Sequence, residues 1–452
     1  MPGMTNRYSA RILLILAAAF VAPAAQGAAS AGANSTLRPD AGDLAIRCGL
    51  LIDGVADAAR PDVTVTIREG RIAAVGGDPP ASAAPSLDLS GYTCLPGLID
   101  MHTHLTDRPG DTADLSVFYR RTPQEQAEIS RENARVTLLA GFTTVRNVGN
   151  YIGWTDRSLR DDIDAGRIPG PRMQICGYYL SIPGGGGDLV IPGILESQIP
   201  PSIRMGVARG PEEFRRRAEA ALAGGADFIK VIASGAVLAF GGVPGKPEMN
   251  GEEIAAVVQV AHAAGKKVAA HAHGARSIKE AIRAGADTVE HASLIDDEGI
   301  ALAVERRVGL SMDVYNGDYI DTEGRREGWP EEFLRKNIET TEAQRLGFQK
   351  AHAAGAAILY GTDAAVYPHG LNARQFKIMV QRGMKPMEAI RSATSVAARY
   401  LGWEDRVGAV APGRFGDLIA VRGNPLEDIQ RLEDVAVVIK GGRVFKQPGQ
   451  AR

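Results

Sequence analysis

A chain of 452 residues with 51 basic and 53 acidic side chains has a net charge of −2, so it generates no field that would favour nucleic acid or an anionic bilayer. Its 45% hydrophobic and 23% charged residues are those of a globular enzyme, and its length exceeds what one hydrophobic core usually serves. With 53 glycines and only 6% aromatics, it suits many strand-to-helix turns better than a platform for stacking bases.

The chain opens with Arg7 and Arg11, an apolar run from Ile12 to Ala25, and then small residues. This is the pattern of a secretory signal peptide, residues 1–28, cut near Gly27 to Ser30. The apolar run is short for a bilayer span, and no cysteine follows it for lipid attachment. The expectation is export to the periplasm or medium, with no membrane association once the leader is removed.

Residues 40–95 contain "LAIRCGLLIDG" and "DVTVTIREGRIAAVGG", and residues 405–452 contain "FGDLIAVRG" and "DVAVVIKGGRVFK". Both read as hairpins with glycine-containing turns. "IREGRIAAVG" and "IKGGRVFK" resemble each other across the whole chain, so the two ends are expected to join in one small β-sandwich domain. Of the three cysteines, Cys48 and Cys94 flank that domain and Cys176 stands alone. Small buried hydrophobes is the simpler reading, with a Cys48–Cys94 bridge left open in an oxidising compartment.

Between the ends, residues 96–404 repeat one unit, a helical stretch closing on glycine and then a short apolar strand. "GEEIAAVVQVAHAAG" before "KKVAAHAHG" is one case, and "DEGIALAVERRVG" before "LSMDVY" is another. Strands start near Leu98, Thr143, Met173, Phe228, Val268, Thr288, Leu310 and Ala357. Strands without alternation are covered on both faces, and this number, alternating with helices, closes a (β/α)8 TIM-like barrel of the α/β class.

Ionisable residues recur at the strand ends, where barrel active sites lie. In "PGLIDMHTHL" of strand one, His102 and His104 share a face by their i, i+2 spacing. Strand four carries Lys230, strand five His271 and His273, strand six His291, and strand eight Asp363. Imidazoles and a carboxylate at one level form a donor set for a divalent cation. A lysine inside an apolar strand is disfavoured unless paired. Burial lowers its pKa, and a neutral amine can add carbon dioxide to give a carbamate with two oxygens for two metal ions. A lysine paired with a carboxylate is the simpler alternative.

With "PGLIDMHTHL", "IKVIASG", "AHAHG", "VEHAS", "YGTDA" and the closing "GAVAPGRFGDLIAV", the sequence resembles the amidohydrolase superfamily in its binuclear, lysine-bridged form over nearly the whole mature chain. Within it, the closest likeness is to the Xaa-Pro dipeptidase and imidazolonepropionase-like branch, which includes ochratoxinase-type carboxypeptidases. The resemblance implies that His102 and His104 bind one metal and His271 and His291 another. Carboxylated Lys230 would bridge the two, and Asp363 would bind the first metal and handle protons. Zinc is the first choice for such nitrogen and oxygen ligands. The reaction implied is hydrolysis of an amide or peptide bond by a hydroxide held between two cations. The substrate would be a small molecule: a dipeptide, an N-acyl amino acid or an ochratoxin-like aryl amide. Nucleic acid is not an expected partner, and homo-oligomerisation stays open. A mononuclear deaminase or imidazolonepropionase-like cyclic amidohydrolase is the rival enzyme, and a non-enzymatic binding protein the rival class.

Further candidates surround this set. His273 would contact substrate or oxyanion, or orient a ligand. Tyr178 and Tyr179 end strand three, where the pleat allows one phenol to polarise the carbonyl; Tyr178 is carried as the catalytic candidate. Arg146 is a candidate for a substrate carboxylate or a structural arginine, and His369 for pocket lining or a turn. His262 and His352 read as capping or packing residues. "IPGGGGDL", Ile182 to Leu189, lacks the lysine of a phosphate loop and is expected to be a mobile loop beside the site. The polar segment after strand seven is expected to border the pocket as well.

Overall fold

The computed structural model describes residues 43–77 and 86–448. The expected leader and its cleavage site lie outside them. Among the described residues, no helix is long and apolar enough to cross a membrane.

The first strands are β1 (Leu44–Leu51), β2 (Arg60–Arg68), β3 (Arg71–Val75) and β4 (Ser86–Pro96). The barrel strands follow as β5 (Leu98–Thr103), β6 (Phe142–Asn147), β7 (Arg172–Ile175), β8 (Tyr179–Leu180), β9 (Phe228–Ile232), β10 (Lys267–Gly274), β11 (Thr288–Leu294), β12 (Gly309–Ser311) and β13 (Ile358–Leu359). The chain ends with β14 (Leu418–Arg422), β15 (Val435–Lys440) and β16 (Arg443–Lys446).

Both chain ends enter one seven-stranded sheet in the order β16-β15-β14-β4-β1-β2-β3. The join is β4 against β14, antiparallel from Pro96 opposite Leu418 to Tyr92 opposite Arg422. The sheet curls back, because Arg71 bridges Phe415 and Ile72 N donates to Arg414 O at 2.8 Å. The expected two-layer unit is thus one continuous sheet around a shared core that includes Ile46, Val65, Leu418 and Val437. Cys48 and Cys94 are disulfide-bonded inside it, and Cys176 is a buried thiol.

The chain passes from β4 into the barrel through Gly97. A Cβ there would meet Thr143 Oγ1 at 2.0 Å, so the position requires glycine. Strands β5 to β7 pair in parallel, as do β8 to β13. The barrel closes where Met101 N donates to Tyr360 O at 2.8 Å and Thr103 bridges Ala364. Strand three breaks after Ile175 and resumes as β8, which pairs with β9. Counting β7 and β8 as one, the strand starts lie within one residue of those read from the sequence.

Helices cover the strands, and their ends follow local rules. Asn250 caps Gly251–Ala263 by accepting from Glu252 N and Glu253 N. Gly285 ends Ala275–Ala284 in the left-handed conformation, φ 100°. The glycine rule fails once: Asp297–Arg306 is capped by Arg307 at φ 56°, while Gly309 begins β12. A Cβ on Gly309 would meet Leu359 Cδ1 at 2.6 Å, so packing rather than capping requires that glycine.

Candidate metal centre

Every residue of β5 is buried. Beneath its end, Asp100 Oδ1 accepts from the main-chain N of His102 and of Thr362, each at 3.1 Å, and Oδ2 accepts from Asn372 at 2.8 Å. Strand one is thereby fixed to the loop after strand eight. His102 Nδ1 lies 2.8 Å from Glu290 Oε2, and His104 Nδ1 lies 3.0 Å from Gly149 O. Their Nε2 atoms approach Asp363 Oδ1 at 3.3 and 3.1 Å. Asp363 follows β13 in a left-handed turn, φ 56°, and its main-chain N donates to His102 O at 2.7 Å.

On the other side, β9 presents Lys230, β10 presents His271 and His273, and β11 presents His291 to the same cavity, of about 160 Å³. The His291 ring centroid is 4.5 Å from that of His271 and 4.7 Å from those of His102 and His273. His291 Nδ1 meets Asp313 Oδ1 at 3.0 Å, and Gln344 donates to the same oxygen at 2.8 Å. His273 Nδ1 meets Ser293 Oγ at 2.8 Å. His271 Nε2 is buried without a partner among the described residues. Ligand atoms of three sets lie within 4.8 Å of one another: His102–His104–Asp363, His271–His273–His291 and His291–Asp313–Asp363.

Burial sets the charge states. It lowers the His271 imidazole well below its ordinary value and takes His273 to about 3, so both are neutral with a lone pair to offer. Burial also lowers the Lys230 ammonium to about 8, against the pull of Glu290. Neutral imidazoles, carboxylates and an amine whose proton is loosened by burial around one cavity fit a divalent cation site. The unpartnered Nε2 of His271 is a concrete instance, since a buried ring nitrogen without a partner is costly unless a ligand takes it.

Three sequence candidates are corrected by position. Tyr178 faces away from the cavity: its ring packs edge-on to Trp154 and its hydroxyl donates to Arg217 O at 3.3 Å. Tyr179 is the inward member, with its hydroxyl 3.1 Å from His104 Nδ1. The two phenols thus point to opposite sides, as adjacent residues of an extended segment do. Arg146 does not reach the cavity. It donates to Glu290 Oε1 at 2.6 Å, Met101 O at 2.6 Å and Thr288 Oγ1 at 3.0 Å. His369 lies behind the first strand, its Nε2 3.2 Å from His104 O and 3.3 Å from Asp107 O. His262 and His352 lie outside the cavity, paired with Asp287 and Glu388.

The glycine segment borders the cavity through Gly186, and it is tethered. Gly186 N donates to Glu248 Oε2 at 2.9 Å and Gly187 N to Ser181 Oγ at 3.1 Å. The segment after strand seven contributes Asn316 and Ile320. Sequence reasoning missed Glu290 and Asp313, which orient His102 and His291. Asp313 was readable, since "LSMDVY" puts an acid just past a strand end.

The amidohydrolase family model matches residues 93–445 of this chain. The ochratoxinase of Aspergillus niger is 31% identical over 424 residues, 89% of this chain and 87% of its own length. A crystal structure of a Xaa-Pro dipeptidase with methionine bound in its active site aligns with a TM-score of 0.83 and 35% identity, over 90% of this chain and 100% of that one. The A. niger ochratoxinase crystal structure aligns with a TM-score of 0.79 and 28% identity, over 91% and 97%.

Proposed function

The chain belongs to the amidohydrolase family and is a hydrolase of carbon–nitrogen bonds, and we propose that it is a binuclear enzyme that releases a C-terminal amino acid from a dipeptide, an N-acyl amino acid or an ochratoxin-like aryl amide. The observation that carries this reading is the convergence of His102, His104, Lys230, His271, His291 and Asp363 on one cavity. His102, His104 and Asp363 would hold one divalent cation and His271 and His291 a second, with Lys230 as a carbamate between them. Zinc suits that donor set. When bound, the ions would supply Lewis acidity and a water acidic enough to ionise near neutral pH.

The chain's own groups do the rest. Asp363 takes the proton of the attacking water and returns it to the leaving nitrogen. Burial would raise its carboxyl, but His102 and His104 outweigh that and hold it well below the ordinary range, so it stands ionised as a base must. His104 Nδ1–H points at Gly149 O, so the Tyr179 hydroxyl beside it is free to donate to the substrate carbonyl oxygen. His273, with Nδ1 on Ser293, offers Nε2 to the substrate. The ochratoxinase and Xaa-Pro dipeptidase relatives support this substrate class. Export through the leader in residues 1–28 belongs to the same proposal.

The test is free amino acid released by the metal-loaded protein from a panel of N-acyl amino acids and dipeptides. No release across the panel, with two cations bound, overturns the substrate class. The single-cation alternative predicts one ion per chain and leaves Lys230 without a task.

A further inference from the structure

Release of a C-terminal amino acid calls for a group that reads its carboxylate, and Arg146, bound to Glu290, does not reach the cavity. Among the described residues lining the cavity, the lysines and arginines are Lys230, at the level of the imidazoles, and Arg108, at the mouth. Arg108 follows His104 by four residues, on the loop that leaves β5, and its side chain is 58% exposed.

The loop holds the guanidinium by one edge. Arg108 N and Nε donate to the two oxygens of Asp111 at 3.2 and 3.3 Å. Asp111 also accepts from Arg121, so one carboxylate serves two guanidiniums and does not occupy the Arg108 fork alone. Asp107 lines the cavity too, but its hydrogen-bond donor is Thr106 rather than Arg108. Beyond this rim Leu115, Phe118, Tyr151, Leu238, Ile320 and Val366 form an apolar stretch of the wall, with Asn316, Asn337 and Thr341 polar beside it. A molecule that satisfies this cavity has one anionic end and an apolar body.

We propose that Arg108 is the specificity-determining residue that receives the free carboxylate of the substrate, with the apolar wall taking its hydrophobic body; this rests on the hydrolase reading above. A guanidinium meets a carboxylate through two parallel N–H···O bonds. Such a pair contributes little while exposed and more once a bound substrate excludes water. Asp111, by fixing the fork beforehand, reduces the ordering that binding requires.

The experiment compares two substrates that differ only in the carboxylate, N-benzoyl-L-phenylalanine and N-benzoyl-2-phenylethylamine. Wild-type, R108Q and R108K are loaded with zinc, and their metal content and Tm are matched before kcat and KM are measured. The wild-type enzyme is expected to prefer the acid, and R108Q to lose at least about tenfold of that preference, through KM. R108K, which keeps the charge without the fork, is expected to retain part of it. An unchanged preference in R108Q overturns the assignment, as does a wild-type enzyme that treats both substrates alike while hydrolysing them. A wild-type enzyme with two cations that cleaves neither overturns the hydrolase reading and the assignment with it.

Discussion

Arg146 on β6 and Lys230 on β9 are both cationic and both buried, 4% and 2% exposed, yet they belong to different layers of one barrel. Arg146 sits deeper, beside Thr288 at the start of β11, and its guanidinium is satisfied by Glu290, Thr288 and Met101 O. The Asp100–Thr362–Asn372 cluster is closed in the same way. One step up, at the level of His291, groups stand with capacity unfilled: His271 Nε2 has no partner among the described residues, and burial holds Lys230 near 8. The lower layer fixes the strands, and the upper layer offers its lone pairs to something else. Unpartnered hydroxyls such as Thr144 Oγ1 and Ser277 Oγ occur elsewhere in the fold; what distinguishes the upper layer is an unpartnered imidazole nitrogen among other metal-ligating groups.

The largest expected effect breaks the upper layer. Asp363→Asn should lower kcat by about 10²–10⁴ while Tm and metal content hold; undiminished kcat would remove Asp363 from proton transfer. In the lower layer, Arg146→Met leaves the Glu290 charge without its guanidinium, though still bonded to His102 and Thr288, and should destabilise the metal-free protein by about 3 kcal/mol in urea unfolding. Lys230→Met, which strands no partner, should leave that stability unchanged or higher, and equal losses for the two would erase the distinction between the layers. Tyr179→Phe should cost about 10² in kcat/KM, whereas Tyr178→Phe, on the outer side of the same strand, should change it less than twofold to about that. Equal losses would restore Tyr178 as a candidate.

The smallest effect concerns pH. Burial lowers His369 to about 4, while the unfolded chain protonates it below about 6.5. The unfolded state therefore binds more protons between those values, and the stability that neutral His369 provides is lost as pH falls through that window. His369→Gln removes this dependence. Its destabilisation relative to wild type should shrink by about 1–2 kcal/mol between pH 7.5 and pH 5, read from urea midpoints; a constant difference would place His369 in contact with water.

The strands were legible because short apolar runs bounded by glycine leave little freedom in where they start. The faces of His102 and His104, and of His271 and His273, followed from alternation in unbroken strands. Alternation decided less elsewhere. In strand three alternation allowed one of Tyr178 and Tyr179 inward without saying which, and His291 at φ 68° lets it and Glu290 both turn inward. For Arg146 and His369 the structural alternatives were open in the sequence but could not be chosen, because their partners are main-chain carbonyls and a carboxylate far away in sequence.

Metal stoichiometry of the zinc-loaded protein, measured beside Lys230→Ala, tests the paired-cation centre most directly. The account predicts two tightly held ions per chain in the wild type and one or fewer in the variant. A wild-type chain that binds a single ion, or a variant that keeps both, would contradict it.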